Sequence, residues 1–116
     1  MEDFKGQIRS LKVYGPDFWE FYNQQTKKVQ ERILWTIRVI RDIQIISEKY
    51  LKHIAGGIYE IRISSGNNIF RIFCFFDEGK LVILLNGFQK KTRKTPTKEI
   101  ERAKKLKNHY YEDKKK

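Results

Sequence analysis

We predict an α+β fold made of an N-terminal strand, a two-helix hairpin, a three-stranded antiparallel meander and a C-terminal helix. Apolar residues recur at the spacing of a helix from Val29 to Ile40, whereas apolar and polar residues alternate as in a strand over residues 57–63. The chain has 116 residues, of which 40% are hydrophobic. This length and apolar content suit one domain, which we place over residues 1–116.

The first elements are a short strand and two helices. Residues 8–14 (IRSLKVY) read as the strand, and Gly15-Pro16 ends it. We expect Asp17 to cap a short aromatic helix, and a longer helix to begin near Thr26. Three residues widen the apolar stripe of this second helix: Leu34, Trp35 and Ile43. The stripe is expected to pack against the sheet and to bind no ligand.

The meander follows from three runs separated by turns. The first run places Tyr59, Ile61 and Ile63 on one face, and Ile58, Glu60 and Arg62 on the other. Turn residues at 64–68 and 77–80 separate it from IFRIFCFF and LVILLNGF. Alternation in the second run places Arg71 on a face with aromatic and aliphatic neighbours. The single Cys74 lies in this run and is expected to act as a small core residue.

The C-terminal helix is predicted over about 96–112, with Pro96 at its first turn and residues 113–116 as a frayed tail. Its outer face is basic. Residues 88–116 contain 12 Lys or Arg against 4 Asp or Glu, whereas residues 1–87 contain 13 against 10. Concentrated positive charge attracts polyanions, and nucleic acid is the expected partner. The alternative is a solvated helix that only keeps the protein soluble.

Several function classes lack the residues they need. The sequence has no Gly-rich phosphate loop, no HExxH motif, one cysteine and two histidines, so we expect no metal and no cofactor. It also has no signal-peptide core and no apolar run of membrane-spanning length. We therefore expect a cytoplasmic protein without a membrane partner.

Clustered cations can promote one reaction without a metal, the attack of an RNA 2′-hydroxyl on its neighbouring phosphate. The reaction needs a base, a cation for the five-coordinate phosphorus and a proton donor. Lys90, Lys91, Arg93 and Lys94 fall within five residues after the last strand. Neighbouring cations disfavour the charged form of a lysine, which helps it to act as a base.

The segments LKHIAGGIYEIRI, NNIFRIF and FQKKTRKTPTKEIERAKK occur in this order over residues 51–105, within a resemblance that covers roughly residues 8–112. Their order and spacing resemble the RelE/ParE superfamily, most closely its HigB branch, which is related to phage-derived proteins. The resemblance implies the toxin of a type II toxin–antitoxin system that cleaves mRNA on the ribosome. It also implies a helix-turn-helix antitoxin, through which alone operator DNA would be contacted.

The resemblance also implies roles for individual residues. Arg62 and Arg71 match arginines that hold and stabilise the scissile phosphate. Lys52 matches basic residues that precede the second strand, and is a candidate RNA contact or base. Lys90, Lys91 and Lys94 match the basic segment after the last strand, which binds ribosomal RNA or assists proton transfer. Three further residues in basic segments are RNA-binding candidates: His53, Arg93 and Lys98.

The sequence departs from the family at one point. Several RNA-cleaving relatives use a tyrosine or histidine near their C-terminal end as acid or base, and the corresponding strand end here is Gly87-Phe88-Gln89. Neither Tyr110 nor His109 clearly replaces it. The acid and base are therefore not assigned, and His53 is a candidate or a plain surface histidine. Arg62 and Arg71 have a structural alternative as ion-pair partners of Glu60. Two other functions stay open: a ParE-like gyrase poison and a non-catalytic RNA-binding module.

Overall fold

A computed structural model describes residues 3–116. Its elements are, in order, β1 (Ser10–Val13), α1 (Asp17–Asn23), α2 (Lys27–Asp42), β2 (Leu51–Ala55), β3 (Ile58–Ser65), β4 (Asn68–Asp77), β5 (Leu81–Lys90) and α3 (Thr97–Lys114). The predicted α+β class is confirmed. No helix within residues 3–116 is long and apolar enough to span a membrane.

The strands form a single five-stranded mixed sheet in the order β1-β5-β4-β3-β2. Strand β1 runs parallel to β5, and the other neighbours are antiparallel. The prediction of a three-stranded antiparallel meander is therefore wrong, because the sheet has five strands. Strand β2 pairs with β3 at one edge, and β1 pairs with β5 at the other. Lys52 and His53 lie within β2 and not ahead of a strand.

A two-residue turn explains the extra strand. Ala55 pairs with Ile58 across Gly56 and Gly57, whose φ angles are 54° and 80°. Positive φ at both central residues is what a type I′ hairpin turn requires, and glycine adopts it without steric cost. The turn returns the chain directly into β3, so that residues 51–55 pair along it.

Helices α1 and α2 cover one face of the sheet. Ile33, Ile37 and Ile40 of α2 are fully buried there, and the Thr26 side chain caps the helix by accepting a bond from the Val29 N–H at 3.3 Å. The predicted breadth of the apolar stripe is wrong, because Trp35 is 38% exposed and lies at its edge. Ile43, also assigned to the stripe, follows the last residue of α2 and is exposed.

Helix α1 packs closely on β5. A Cβ atom added at Gly87 would overlap the ring of Phe21, so only a glycine lets the helix approach this strand so closely. The helix begins at Asp17, and no side chain caps it. The predicted capping role of Asp17 is therefore wrong. Its carboxylate instead accepts two hydrogen bonds from Arg102 of α3, each 2.9 Å long.

Helix α3 covers part of the opposite face. Ala103, Leu106 and Tyr110 are its buried residues, and they pack in one cluster with side chains such as Phe73 and Phe75 of β4. The helix runs from Thr97 to Lys114, so the predicted bounds of 96–112 and the frayed tail at 113 need correction. Pro96 occupies the N-cap in an extended conformation, one position before its predicted place.

The C-terminal end of α3 is anchored by Asp77, which is 4% exposed. Its Oδ2 accepts hydrogen bonds from the Tyr110 hydroxyl at 2.7 Å and from Lys114 Nζ at 2.8 Å. Burial acts to raise the pKa of Asp77, but these bonds and the charge of Lys114 lower it below its ordinary value. The anchor explains why the helix continues beyond residue 112.

We expect Tyr110→Phe to lower the free energy of unfolding by about 1.5–3 kcal/mol at neutral pH, because one hydrogen bond to a buried carboxylate is lost. Burial, the hydrogen bond to Asp77 and the charge of Asp77 raise the pKa of Tyr110 to about 12. The protonated phenol therefore contributes fully to stability at pH values below 10.0, the pKa of an unperturbed tyrosine. This contribution to the free energy of unfolding is lost as the pH rises through the pKa of the folded state. The wild type should therefore lose more stability than Tyr110→Phe as the pH rises through this window.

Denaturant unfolding at pH 7 and pH 11 measures both effects. Tyr22→Phe is the matched control, since it removes a phenol from α1 on the other face of the sheet. Equal alkaline losses in the wild type and Tyr110→Phe would contradict this role for Tyr110.

Candidate nucleic-acid interface

One face of the sheet carries a cation on each of four neighbouring strands. Arg62 of β3 pairs with Arg71 of β4. Lys52 of β2 pairs with Glu60, two residues before Arg62, and Lys90 of β5 pairs with the residue two before Arg71. Paired residues, and alternate residues of one strand, point to the same face. The four cations therefore lie on the face that α3 covers only in part.

Glu60 holds the two arginines at the centre of this row. Its carboxylate lies 3.4 Å from Arg62 Nε and 3.5 Å from Arg71 Nε. Glu60 is 3% exposed and Arg71 is 6% exposed, whereas Arg62 is half-buried. Burial lowers the pKa of Arg71, the charge of Glu60 acts to raise it and that of Arg62 acts to lower it. The ion pair proposed from the sequence as a structural alternative is thus present.

A cleft of about 290 Å³ opens over both arginines, and we call it the arginine cleft. Its wall residues come from α2, the segment before β2, β3 and β4: Arg32, Lys49, Tyr50, Arg62, Ile63, Ser64, Ile69 and Arg71. The cleft lies where β2 stops short of the end of β3, beyond the Arg62 N–H that donates to the Tyr50 carbonyl at 2.8 Å. Four of its wall residues carry positive charge, and none is acidic.

A second cleft, which we call the lysine groove, adjoins the first. Its lining combines amides of the β3–β4 turn with the basic end of β5: Asn67, Asn68, Ile69, Gln89, Lys90, Lys91, Thr92 and Arg93. Ile69 lines both clefts and is 40% exposed. The arginine cleft and the lysine groove therefore form one continuous basic surface with a small apolar patch between them.

Most residues predicted from the sequence reach this surface. Arg62 and Arg71 line the arginine cleft, and Lys90, Lys91 and Arg93 line the lysine groove. Two further residues are exposed next to it: Lys52 on β2 and Lys94 in the loop before α3.

The structure does not bring His53 and Lys98 to either cleft. His53 lies on the opposite face of β2, where its ring packs against Tyr59 at 5.1 Å and its Nε2 accepts from the Gly57 N–H at 3.4 Å. Lys98 lines a separate depression at the start of α3, together with Asp17 and Arg102. The contacts of His53 are those of a surface histidine beside a turn.

Three cationic or aromatic residues of the arginine cleft were missed by reasoning from the sequence: Arg32, Lys49 and Tyr50. Arg32 belongs to a helix on the other face and reaches the cleft around the edge of β3. Lys49 and Tyr50 immediately precede β2. The Gly56-Gly57 pair is the sequence signal that would have placed β2 beside β3 and these two residues beside Arg62.

Metal ligands and reactive thiols are scarce in the described part of the chain. Across residues 3–116, no three side chains of His, Cys, Asp or Glu lie close enough together to hold a metal ion. Cys74 is fully buried in the core, and burial raises the pKa of its thiol. This confirms its predicted place as a small core residue.

Comparison with known proteins identifies the family. No curated protein matches the chain. A family model described as Phage derived protein Gp49-like (DUF891) matches residues 20–108. The match covers well over half of the chain, from α1 to α3, and contains both clefts. The chain therefore belongs to the family of Gp49-like phage-derived proteins.

Proposed function

We propose that this protein is the toxin of a type II toxin–antitoxin system and cleaves mRNA on the ribosome without a metal ion. The Gp49-like family is associated with RelE-like toxins, which supports the toxin assignment. The observation that carries the nuclease proposal is the row of four cations on one open face, with two arginines aligned by a buried glutamate. Such a surface suits a phosphodiester at which negative charge develops during reaction.

The reaction is an internal transfer within RNA. The 2′-oxygen forms a bond to the adjacent phosphorus, and the bond from phosphorus to the 5′-oxygen breaks. A base takes the proton of the 2′-hydroxyl, and an acid gives a proton to the departing 5′-oxygen. The products are a 2′,3′-cyclic phosphate and a 5′-hydroxyl end. Water is not a reactant, and the proposal assigns no role to a metal ion.

In this proposal Arg62 and Arg71 bind the non-bridging oxygens of the scissile phosphate. Glu60 is a positioning residue, because it contacts both guanidinium groups from below the surface. Lys52 and Lys90 stand on either side of the arginine pair, on β2 and β5, and are the candidates for proton transfer. Three further cations would contact ribosomal RNA: Lys91, Arg93 and Lys94. Lys98 would contact it further out on α3, and no role is assigned to His53.

The proposed partners follow from the same surface. The ribosome and mRNA would meet the basic clefts, and a helix-turn-helix antitoxin would neutralise the toxin by covering them with an acidic segment. Operator DNA would be bound only through the antitoxin. The proposed location is the cytoplasm, where translating ribosomes are found.

Arg62→Ala tests the nuclease directly, because Arg62 lines the cleft and is half-buried, so its loss disturbs the core less than the loss of Arg71. We expect induction of the wild type to stop growth and to cut transcripts within translated codons. Arg62→Ala should reduce cleavage about 100- to 1,000-fold, as expected when one charge-stabilising donor is removed. Mapping of 5′ ends on transcripts from induced cells measures the cuts.

The matched control is Arg102→Ala, which also removes an ion-paired arginine but lies on α3, outside both clefts. It should cleave like the wild type. Equal cleavage by Arg62→Ala and the wild type would refute the assignment. DNA breaks with intact transcripts would instead identify a gyrase poison. The absence of both DNA breaks and transcript cuts would indicate a silent RNA binder.

Arg71→Ala is expected to lower the free energy of unfolding by about 3–5 kcal/mol, because it leaves the carboxylate of Glu60 buried with only Arg62 as partner. The double variant Glu60→Gln with Arg71→Ala should recover most of this loss, since the uncompensated charge is removed. Denaturant unfolding of the two single variants and the double variant measures the coupling. Additive losses would show that the pair is not coupled. Loss of toxicity in Arg71→Ala therefore needs this stability measurement beside it.

A further inference from the structure

A large aromatic side chain stands exposed beside the arginine cleft. Trp35 is 38% exposed, although the buried side of α2 is complete with residues such as Ile33 and Ile37. The Trp35 ring lies 5.7 Å from the Tyr50 ring at an interplanar angle of 68°. Tyr50 is itself a wall residue of the arginine cleft. The two rings thus extend from the cleft wall onto the outer surface of α2.

Cations accompany both rings. The guanidinium carbon of Arg32 lies 4.3 Å from the centroid of Trp35, and Arg32 also lines the arginine cleft. Lys49 Nζ lies 5.7 Å from the centroid of Tyr50 and is likewise a cleft residue. A cation over one face of an indole leaves its remaining exposed surface for a second planar partner.

This combination has a known physical use. Proteins that bind unpaired nucleic acid strands combine a basic path for the phosphates with aromatic rings on which bases stack. The path here consists of Arg62 and Arg71, and the rings stand at its edge. A partner that is anionic along its backbone and has flat apolar faces fits both features, whereas an acidic peptide fits only the charge.

We propose that Trp35 and Tyr50 form a stacking site for one unpaired nucleobase of the RNA strand whose phosphate occupies the arginine cleft. The inference rests on the proposed function and extends it, because it names the part of the substrate next to the scissile phosphate. Stacking uses the π-face that every base presents. The site therefore contributes affinity and position for the strand without selecting a particular base.

The test uses an RNA hexamer with 2′-O-methyl groups on every sugar, which cannot be cleaved, and the same hexamer with its bases removed. Binding is measured at low salt, where phosphate contacts are strongest. Trp35→Ala should weaken binding of the intact hexamer about 10-fold and leave the abasic hexamer within twofold. Arg62→Ala should weaken both hexamers alike.

Trp19 supplies a matched control, because it is also 38% exposed and lies on α1 among Phe4, Phe18 and Tyr22. Trp19→Ala should bind both hexamers like the wild type. Each tryptophan can also be observed alone. The intact hexamer should quench the fluorescence of Trp19→Phe, in which Trp35 remains, and should leave that of Trp35→Phe unchanged. The fluorescence variants keep an aromatic ring, so they test the site even where an alanine variant fails to fold.

Several results would overturn the proposal: equal effects of Trp35→Ala on the two hexamers, no binding of either hexamer, or quenching of Trp19 in place of Trp35. Quenching of Trp35 by the antitoxin but not by RNA would assign the rings to a protein interface. Base-dependent binding without cleavage of cellular transcripts would support the stacking site and contradict the nuclease. Cleavage of transcripts together with equal effects of Trp35→Ala on the two hexamers would support the nuclease and contradict the stacking site.

Discussion

The buried carboxylate of Glu60 is the constraint on which the rest of this surface depends. A carboxylate at 3% exposure is strongly disfavoured unless cations compensate it, and Arg62 and Arg71 provide that compensation from the neighbouring positions of β3 and β4. An apolar helix face offers these charged groups no hydrogen-bond partners. Helix α3 packs in one cluster with Phe73 and Phe88, while the sheet around Arg62 and Arg71 stays open as the arginine cleft.

Much of the fold follows from local patterns in the sequence. The alternation over residues 57–63 assigns Ile61 and Ile63 to the face under α1 and α2, and Ile58 to the face under α3, as the two core clusters show. Strand β2 escapes prediction because it is an edge strand of five residues whose Lys52 and His53 are both exposed. An edge strand needs no continuous apolar pattern, so its only signal was the glycine turn that follows it.

The candidate site divides in the same way. The turn residues at 64–68 indicate the hairpin from the sequence, but Arg62 and Arg71 share a face only because Ser65 pairs with Asn68. A register shifted by one residue would place the two arginines on opposite faces. Arg32 and Tyr50 meet them only through tertiary packing, because α2 lies against the far side of β3 and its edge reaches around the sheet. The 3.6-residue period predicts which side of α2 is buried, but the width of that side depends on the surface it meets. Trp35 falls just outside that width.

The positive charge of the C-terminal quarter and the arginine pair act at different ranges. Lys98 and the other outer cations of α3 do not line the arginine cleft or the lysine groove, so they contribute through the field around the protein, which salt screens within about 10 Å at 0.1 M. The arginines would act at contact distance, and their ion pairs with Glu60 are present without a ligand. In the proposed function the first group would accelerate encounter with ribosomal RNA, and the second would stabilise charge on one phosphate. In that proposal the net charge of +11 bears on the choice of partner, whereas the chemistry would depend on the few cations that the sheet register aligns.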